Sequence, residues 1–354
     1  MERDRILAWL RETDPTRLAR LWHLADATRQ KYVGGEVHLR GLIEFSNYCV
    51  RLCAYCGLRA PNSGLTRYRM SHDEIMACAR QAVAYGFGTV VLQSGEDPGV
   101  TRDWLADLIR KIKTQTPLAV TLSVGERSEE DLRAWREAGA DRYLLRFETS
   151  NQALYARLHP PRPGATSDRL AMLGRLRQMG YEVGSGVMIG IPGQSYEDLA
   201  RDIVLFGELD LDMIGVGPYL VHPDTPLGDP SFRPVVADGD QVPADELTTY
   251  KVIALARLVC PRANIPSTTA LATLNRTKGR ELGLVRGANV LMPNLTPPQY
   301  RVLYEIYPNK ACLRETAEGC FVCMRQRIAE IGRTVGVGPG PSASGRQRQP
   351  AAAE

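Results

Sequence analysis

The sequence predicts an α/β fold, a (β/α)8 TIM barrel, and three observations support this prediction. Strand-like and helix-like segments alternate eight times between residues 38 and 307. The strand-like segments are short, aliphatic or β-branched, as expected of parallel strands covered on both faces. Several helical segments end in glycine before the next strand: Gly86, Gly139 and Gly180. Eight such units joined by right-handed crossovers close into a barrel.

The predicted elements follow one another along the chain, after two amphipathic helices within residues 1–35. Strands are predicted at 38–46, 88–96, 118–126, 141–149, 181–193, 212–223, 262–270 and 287–294. Each is followed by a predicted helix, at 71–86, 101–115, 128–140, 166–180, 195–209, 244–260, 275–283 and 296–307. A doubly wound open sheet and a six-unit partial barrel with an extra domain are the alternative architectures.

Composition divides the chain into four segments. We expect an N-terminal helical segment at 1–36, the barrel at 37–310, and a C-terminal extension with cysteines at 311–335. Residues 336–354 are rich in Gly, Pro, Ser and Ala without apolar periodicity, which predicts a disordered tail.

The bulk composition is that of an ordinary globular protein, with 44% hydrophobic and 24% charged residues. We find no apolar run long enough for a membrane span and no apolar core of a signal peptide, so a cytoplasmic location is the expectation. The net charge of +4 comes from interspersed acids and bases. It suits anionic small molecules, and the absence of a basic stripe with aromatics argues against nucleic acid.

Six of the eight cysteines fall into two triplets, and clustered cysteines in a cytosolic chain favour metal ligation over disulfides. The other two, Cys78 and Cys260, lie alone in helical patterns and read as small buried side chains. The first triplet is Cys49, Cys53 and Cys56, spaced C-x3-C-x2-C directly after the first strand. Three thiolates suit a 4Fe–4S cluster with one open iron. A structural zinc with a distant fourth ligand and unligated thiols are the alternatives.

This spacing, with the aromatic Tyr55 before the last cysteine and a barrel around it, resembles the radical S-adenosylmethionine (SAM) superfamily. In that superfamily the open iron chelates SAM, and a reduced cluster cleaves it to a 5′-deoxyadenosyl radical. The resemblance implies catalytic roles for the three cysteines. It also implies a set of cofactor-binding residues: Tyr55, Ser94, Glu96, Glu148, Arg169, Met188, Gly190 and Pro192. A rim ion pair is the alternative for Glu148 and Arg169, and turn chemistry for Gly190.

The second triplet is Cys312, Cys320 and Cys323, spaced C-x7-C-x2-C after the last predicted helix. It predicts a second iron–sulfur cluster, 2Fe–2S or 4Fe–4S, with a zinc site and free thiols as alternatives. Biotin synthase has a similar barrel, but its auxiliary cluster takes cysteines from inner strands, and this chain has none there. Both triplets together with "RGLIEFSNYC", "RYLLRFETSN" and "IPSTTA" closely resemble the HydE family of iron–iron hydrogenase maturases. Phe147 is a departure, since that family often carries His there.

The HydE resemblance implies assembly of the hydrogenase H-cluster, toward its bridging dithiomethylamine ligand, from a small cysteine-bound iron carbonyl–cyanide complex. A reductant such as ferredoxin or flavodoxin and other hydrogenase maturases are the implied partners. By position, the substrate pocket is predicted to contain Gln93, Thr121, Arg146, Thr268, Thr269, Met292, Tyr304 and Tyr307. The two tyrosines would close the barrel bottom or relay a proton, or else pack in the core. A methylornithine synthase-like enzyme and a non-enzymatic iron–sulfur or zinc scaffold are the alternative functions.

Overall fold

The computed structural model describes residues 1–161, 167–313 and 315–344. Its strands are β1 (Glu36–Ser46), β2 (Thr89–Ser94), β3 (Ala119–Ser123), β4 (Arg142–Leu144), β5 (Glu182–Ser185), β6 (Met188–Ile189), β7 (Met213–Ile214), β8 (Gly217–Pro218), β9 (Val290–Leu291) and β10 (Thr334–Val335). Its α-helices are α1 (Arg3–Arg11), α2 (Pro15–Val33), α3 (His72–Ala84), α4 (Arg102–Gln115), α5 (Glu129–Glu137), α6 (Gln152–Leu158), α7 (Arg169–Gln178), α8 (Tyr196–Glu208), α9 (Glu246–Val259), α10 (Thr269–Leu274), α11 (Gly279–Leu284), α12 (Pro298–Arg301) and α13 (Ala317–Glu330). Short 3-10 turns lie at Pro226–Gly228 and Pro230–Phe232.

The barrel closes through parallel strand pairs, which confirms the predicted (β/α)8 fold. The strands β1, β2, β3, β4, β5 and β7 are neighbours in that order, and β9 pairs with β1. Single backbone bridges complete the ring, from Met213 to Asn264 and from Pro266 to Val290. The seventh strand position is therefore an irregular segment, because Pro266 has no N–H to donate to a ladder.

A large cluster of buried apolar side chains forms the hydrophobic core, and the N-terminal helices contribute to it. Ile6 and Leu10 of α1 and Leu21 of α2 are fully buried. The helix α1 packs on α8 and α9, and the ammonium group of Lys251 in α9 donates to the carbonyl oxygen of Leu10 at 2.9 Å. Among the described helices, none combines the length and the apolar character that crossing a bilayer requires.

The helix predicted at 296–307 is much shorter than expected, because α12 ends at Arg301. The guanidinium group of Arg301 is fully buried. It donates to four backbone carbonyl oxygens in the loops on either side of the helix, those of Asn294, Thr296, Cys312 and Glu315. These bonds turn the chain back toward the barrel, so Tyr304 and Tyr307 lie on a loop rather than one helical turn apart.

The prediction of a disordered tail from residue 336 is wrong for residues 336–344, which lie beneath the barrel. We call residues 336–343 the floor segment; it continues β10, which pairs with the start of β1. Two of its positions require glycine, because Gly338 and Gly340 have left-handed φ angles of +75° and +52°. A Cβ on Gly340 would also lie 2.6 Å from the His38 ring. Residues 345–354 lie outside the described residues.

The floor segment supplies hydrogen-bond partners to buried side chains at the N-terminal ends of the strands. The carbonyl oxygen of Pro339 accepts from Thr89 at 2.9 Å and from Arg142 at 3.0 Å. That of Gly340 accepts from Arg40 and from Asn264, each at 3.2 Å. The segment therefore crosses the lower mouth of the barrel and satisfies polar groups on several strands.

Removing the floor segment is expected to destabilise the barrel. A chain that ends at Val335 leaves Thr89, Arg142, Arg40 and Asn264 without these acceptors. An unsatisfied buried donor costs about 1–3 kcal/mol, so we expect the free energy of unfolding to fall by several kcal/mol in urea titrations. A chain that ends at residue 344 keeps the whole segment and is the control. Equal stability of the two shortened chains would contradict the assignment.

Candidate functional site

One cavity of about 380 Å³ opens at the carboxyl ends of the strands, where barrel enzymes place their chemistry. It collects most of the residues that the sequence predicted for cofactor and substrate. The cavity lining includes Cys49, Cys53, Tyr55, Cys56, Gln93, Ser94, Glu96, Thr121, Arg146, Glu148, Arg169, Met188, Thr268, Thr269, Met292, Tyr304, Tyr307, Cys312 and Cys320. Gly190, Pro192 and Cys323 do not belong to this lining.

The first cysteine triplet lies on a loop that several contacts hold in place. Ser46, the last residue of β1, donates to Asp97 at 2.6 Å. The guanidinium group of Arg67 donates to four carbonyl oxygens of the loop, those of Asn47, Leu58, Arg59 and Asn62. Gly95 lets strand β2 approach the loop closely, since a Cβ at this position would lie 2.8 Å from the Cβ of Cys49.

The three thiols of this loop are protonated while they carry no metal. Burial raises the pKa of Cys49, raises that of Cys53 to about 11, and raises that of Cys56 further. Binding a metal therefore displaces their protons. As they stand, the described residues contain no group of three or more Cys, His, Asp or Glu side chains arranged to hold a metal ion. The loop supplies three thiol donors within one cavity.

A buried charge network lies beside the cysteine loop. Arg51 forms ion pairs with Glu126 at 3.0 Å and with Glu96 at 3.8 Å. Arg169 also pairs with Glu126, at 2.8 Å, and donates to the carbonyl oxygen of Arg146 at 2.7 Å. The guanidinium group of Arg169 therefore faces the cavity from a fixed position. Binding of the SAM carboxylate by Arg169 stays a prediction, because the carboxylate that pairs with Arg169 in this structure is that of Glu126.

Glu148 has a strained backbone that aims it at the cavity. Its φ of +66° lies in the left-handed region, which non-glycine residues rarely adopt. The strained turn is held by α8, where buried Asp202 accepts from the Ser150 N–H at 2.6 Å. The Glu148 carboxylate lies 3.1 Å from the guanidinium group of Arg146 and 3.4 Å from the Tyr55 hydroxyl. Strain of this kind concentrates at functional sites.

The segment after β5, predicted to receive the adenine, reaches the cavity through Met188. Gly190 has φ of +77° and its N–H donates to the Gln194 side chain at 2.7 Å. The Gln194 amide in turn donates to the carbonyl oxygen of Met188 at 3.1 Å. Gly190 and Pro192 therefore build the turn that positions Met188 rather than line the cavity themselves.

The predicted substrate residues line the same cavity as Met188. The Gln93 amide donates to the Tyr304 hydroxyl at 3.4 Å, and the Thr268 hydroxyl caps α10. The Thr121 hydroxyl is buried and has no hydrogen-bond partner among the residues that the structure describes, which leaves it available to a ligand. Burial raises the pKa of Tyr304 and of Tyr307, so both hydroxyls stay protonated.

A buried ion pair connects the cavity wall to the C-terminal extension. Glu44 of β1 accepts from the ammonium group of Lys310 and, at 2.8 Å, from the Asn294 amide. The side chains of Glu44 and Lys310 are 2% and 4% exposed, and both line the cavity. The pair fixes the loop that leads to Cys312, so the second triplet begins at the cavity.

The second triplet is only partly gathered. Cys312 and Cys320 line the cavity, whereas Cys323 is exposed on α13. The hydrogen bond with Cys320 and the Arg280 guanidinium, 3.5 Å away, lower the pKa of Cys312, and the same hydrogen bond raises the pKa of Cys320. Arg327 donates to the sulfur of Cys323 at 3.2 Å. This arrangement leaves the second cluster a prediction.

Several residues of the site were missed by sequence reasoning: Glu44, Arg51, Glu126, His159, Arg280 and Lys310. Two of them had a signal. Glu44 is a carboxylate within the otherwise apolar "GLIEFS" strand, and Arg51 lies between the first two cysteines. A charge in such a position indicates a buried partner. The other four become visible only when distant segments meet.

Comparisons with known proteins decide the family. The radical SAM superfamily model matches residues 43–206. The chain is 46% identical over 328 residues to the FeFe hydrogenase maturase subunit HydE of Thermotoga maritima, a match that covers 93% of this chain and 89% of that protein.

The chain belongs to the HydE family of radical SAM enzymes.

More distant relatives share the barrel with this HydE-family chain. It is 29% identical over 291 residues to 3-methylornithine synthase of Methanosarcina acetivorans, covering 81% of this chain and 78% of that one. The crystal structure of methylornithine synthase, PylB, superposes with a TM-score of 0.79 at 26% identity and covers 95% and 94% of the two chains. The structure of HydG, a hydrogenase maturase, has a TM-score of 0.69 at 20% identity, covers 82% of this chain and 64% of that one, and shows the fold alone.

HydE-family membership implies a 4Fe–4S cluster and SAM as cofactors, and the site fits them in its donor chemistry. Three thiols are the ligands an iron–sulfur cluster takes, and they share one cavity with buried carboxylates and guanidinium groups. Phe147, where the family often carries His, is buried and packs on Phe206 with ring centroids 5.9 Å apart. Phe147 lies outside the cavity lining, and any role of an imidazole at this position is absent from this chain.

The Glu44–Lys310 pair offers a test of how this HydE-family site is held together. Lys310→Met leaves a carboxylate buried without its cation, which costs about 3–5 kcal/mol of unfolding free energy. Glu44→Gln in the same chain removes the stranded charge and keeps an acceptor for Asn294, so most of the loss is expected to return. Urea unfolding of the four chains of this cycle measures the coupling. Equal costs of Lys310→Met in both backgrounds would rule the pair out.

Proposed function

We propose that this HydE-family chain acts on a small, cysteine-bound iron carbonyl–cyanide complex, on the way to the dithiomethylamine bridge of the hydrogenase H-cluster. One observation carries the proposal: the cysteine loop and the residues predicted for substrate share one cavity of about 380 Å³. Among the described residues, its lining includes six basic and three acidic side chains. This excess of positive charge favours an anionic substrate of small size.

The cofactor side of the cavity has a role for each residue predicted there. When bound, the cluster and SAM supply one-electron cleavage of the S–C5′ bond, which gives the 5′-deoxyadenosyl radical. Cys49, Cys53 and Cys56 would hold three irons of the cluster. The polar groups of SAM would bind to charged and hydroxyl side chains, those of Tyr55, Ser94, Glu96, Glu148 and Arg169. The turn that carries Met188 would face the adenine.

The residues on the substrate side of the cavity would bind and orient the substrate and protect the radical from water. Arg146 supplies positive charge, while Thr121, Thr268 and Thr269 offer hydroxyl groups. The lower end of the cavity is lined by Arg40 and Asn264, which both donate to the floor segment. We infer that the floor segment keeps water from the radical, which must find its hydrogen donor in the substrate.

Beyond this core, we infer a second iron–sulfur cluster at Cys312, Cys320 and Cys323, a protein reductant such as ferredoxin or flavodoxin, and contact with other hydrogenase maturases. The second cluster is supported by Cys312 and Cys320 lying together at one edge of the cavity. The methylornithine synthase-like alternative is weaker, since identity to that enzyme is 29% against 46% to the maturase subunit.

SAM cleavage tests the proposed chemistry. After anaerobic reconstitution with iron and sulfide, the protein is expected to form 5′-deoxyadenosine from SAM when dithionite is added. Cys53→Ala removes a proposed iron ligand, so it is expected to lose cluster absorbance and at least about 99% of this activity. Cys78→Ala is the matched control, because Cys78 is a buried thiol on α3 away from the cavity.

Retention of SAM cleavage by Cys53→Ala would contradict the ligand assignment. Absence of 5′-deoxyadenosine from the cluster-loaded parent protein would overturn the proposed reaction. The proposed substrate is tested separately, by adding the iron carbonyl–cyanide complex to the active enzyme. SAM consumption is expected to become faster with the complex and to stay at its basal rate with free amino acids, the substrate class of the alternative enzyme.

Iron content tests the second site. Replacing Cys320 and Cys323 together by Ala is expected to lower bound iron by one cluster's worth, about two or four atoms, with SAM cleavage retained. Cys260→Ala, at another buried thiol, is the control and is expected to keep full iron content. Unchanged iron in the double variant, or zinc bound in its place, would exclude the second cluster.

A further inference from the structure

A chain of three side chains leads from the cysteine loop into a part of the barrel that the proposed chemistry does not use. The Tyr55 hydroxyl lies 3.0 Å from Nε2 of His159 and 3.4 Å from Oε1 of Glu148. Tyr55 and Glu148 line the cavity, whereas His159 lies behind them at the end of α6. His159 is 3% exposed, so its ring belongs to the protein interior.

The direction of these hydrogen bonds follows from the partners of the imidazole. The other ring nitrogen of His159, Nδ1, is buried and forms no hydrogen bond of its own among the described residues. The Tyr155 carbonyl oxygen, which also faces the ring, already accepts from the His159 backbone N–H at 2.8 Å. A buried N–H without a partner is rarer and costlier than an unused acceptor. The hydrogen of the neutral ring therefore belongs on Nε2, which donates to the Tyr55 oxygen. The Tyr55 hydroxyl is then free to donate to the Glu148 carboxylate.

The ring of His159 is held firmly enough to impose this direction. It stacks on Tyr155 of α6, with ring centroids 4.5 Å apart and planes at 27°, and Tyr55 meets it edge-on at 5.4 Å. The backbones of α6 and of the cysteine loop are also joined beside this ring, because the N–H of Ala54 donates to the carbonyl oxygen of Leu158 at 2.8 Å. The helix α6 thus fixes the cysteine loop and the imidazole together.

We propose that His159 is a positioning residue, which acts through the Tyr55 hydroxyl to hold the Glu148 carboxylate in the orientation that binds SAM. The proposal rests on the proposed cofactor role of Glu148. Arg146 holds the second carboxylate oxygen from the other side, at 3.1 Å. The backbone of Glu148 is strained, and contacts on both sides of its carboxylate keep the side chain in one orientation despite that strain. The Tyr55 hydroxyl bonds to both the imidazole and the carboxylate, so His159 and Tyr55 act in series.

The tautomer can be measured without any cofactor. The chain has five histidines, so ¹⁵N-histidine labelling gives few signals, and His159→Gln identifies that of residue 159. The two-bond nitrogen–proton NMR pattern of His159 is expected to show the hydrogen on Nε2. A hydrogen on Nδ1 would overturn the directed chain, whether or not the protein turns over SAM.

Binding of SAM to the cluster-loaded protein tests the consequence. Tyr55→Phe and His159→Leu are each expected to weaken SAM affinity about tenfold, the effect of one hydrogen bond to a charged group. His159→Gln places an amide N–H near the position of Nε2 and is expected to stay within about threefold of the parent. His23→Gln, at an exposed histidine of α2, is the control. Thermal unfolding of each variant reports whether the fold is kept.

The double variant Tyr55→Phe, His159→Leu separates positioning from packing. Because the two residues act in series, it is expected to bind SAM no more weakly than Tyr55→Phe alone. Additive losses, or parent-like affinity of His159→Leu, would overturn the proposal. If the parent protein binds SAM but never cleaves it, the proposed reaction fails while these comparisons still decide the role of His159.

Discussion

The pairing of β9 with β1 closes the barrel, and the whole site depends on that closure. It joins residues about 250 positions apart in sequence, His38 to Val290 and Leu39 to Leu291. Once these backbones are paired, the cysteine loop after β1 and the residues after β9 share one rim. Glu44 can then meet Asn294 and Lys310, and Gln93 can meet Tyr304. An open sheet of the same strands would leave these groups at opposite edges.

Charge inside the cavity is arranged around that rim in compensated groups. Arg51, Arg169 and Glu126 form one group beside the cysteine loop, and Glu44 with Lys310 forms another across the cavity. Buried charges of this kind are costly unless paired, so each group fixes the segments that carry it. The same pairing explains how a cavity with excess positive charge stays folded before a ligand arrives.

Glu148 shows how the barrel uses strain. The strand β4 ends at Leu144, and the chain then adopts a left-handed φ at Glu148. Asp202 holds the turn from α8, Arg146 and Tyr55 hold the carboxylate, and His159 lies behind Tyr55. The contacts come from different βα units, which is what a barrel rim makes possible. The site is therefore positioned by the scaffold rather than by its own loop.

The sequence by itself determined the barrel, the strand order and the first triplet's place after β1, because these are properties of local pattern and chain order. It also placed most cavity residues, since parallel strands of a barrel end at one rim. Tertiary structure alone decided the rest. The Arg301 bonds shortened the last helix, and buried donors on several strands drew a glycine-rich tail into the barrel floor. Partners such as Glu126, His159 and Lys310 carry no local signal, because a buried charge or imidazole is explained only by the distant group it contacts.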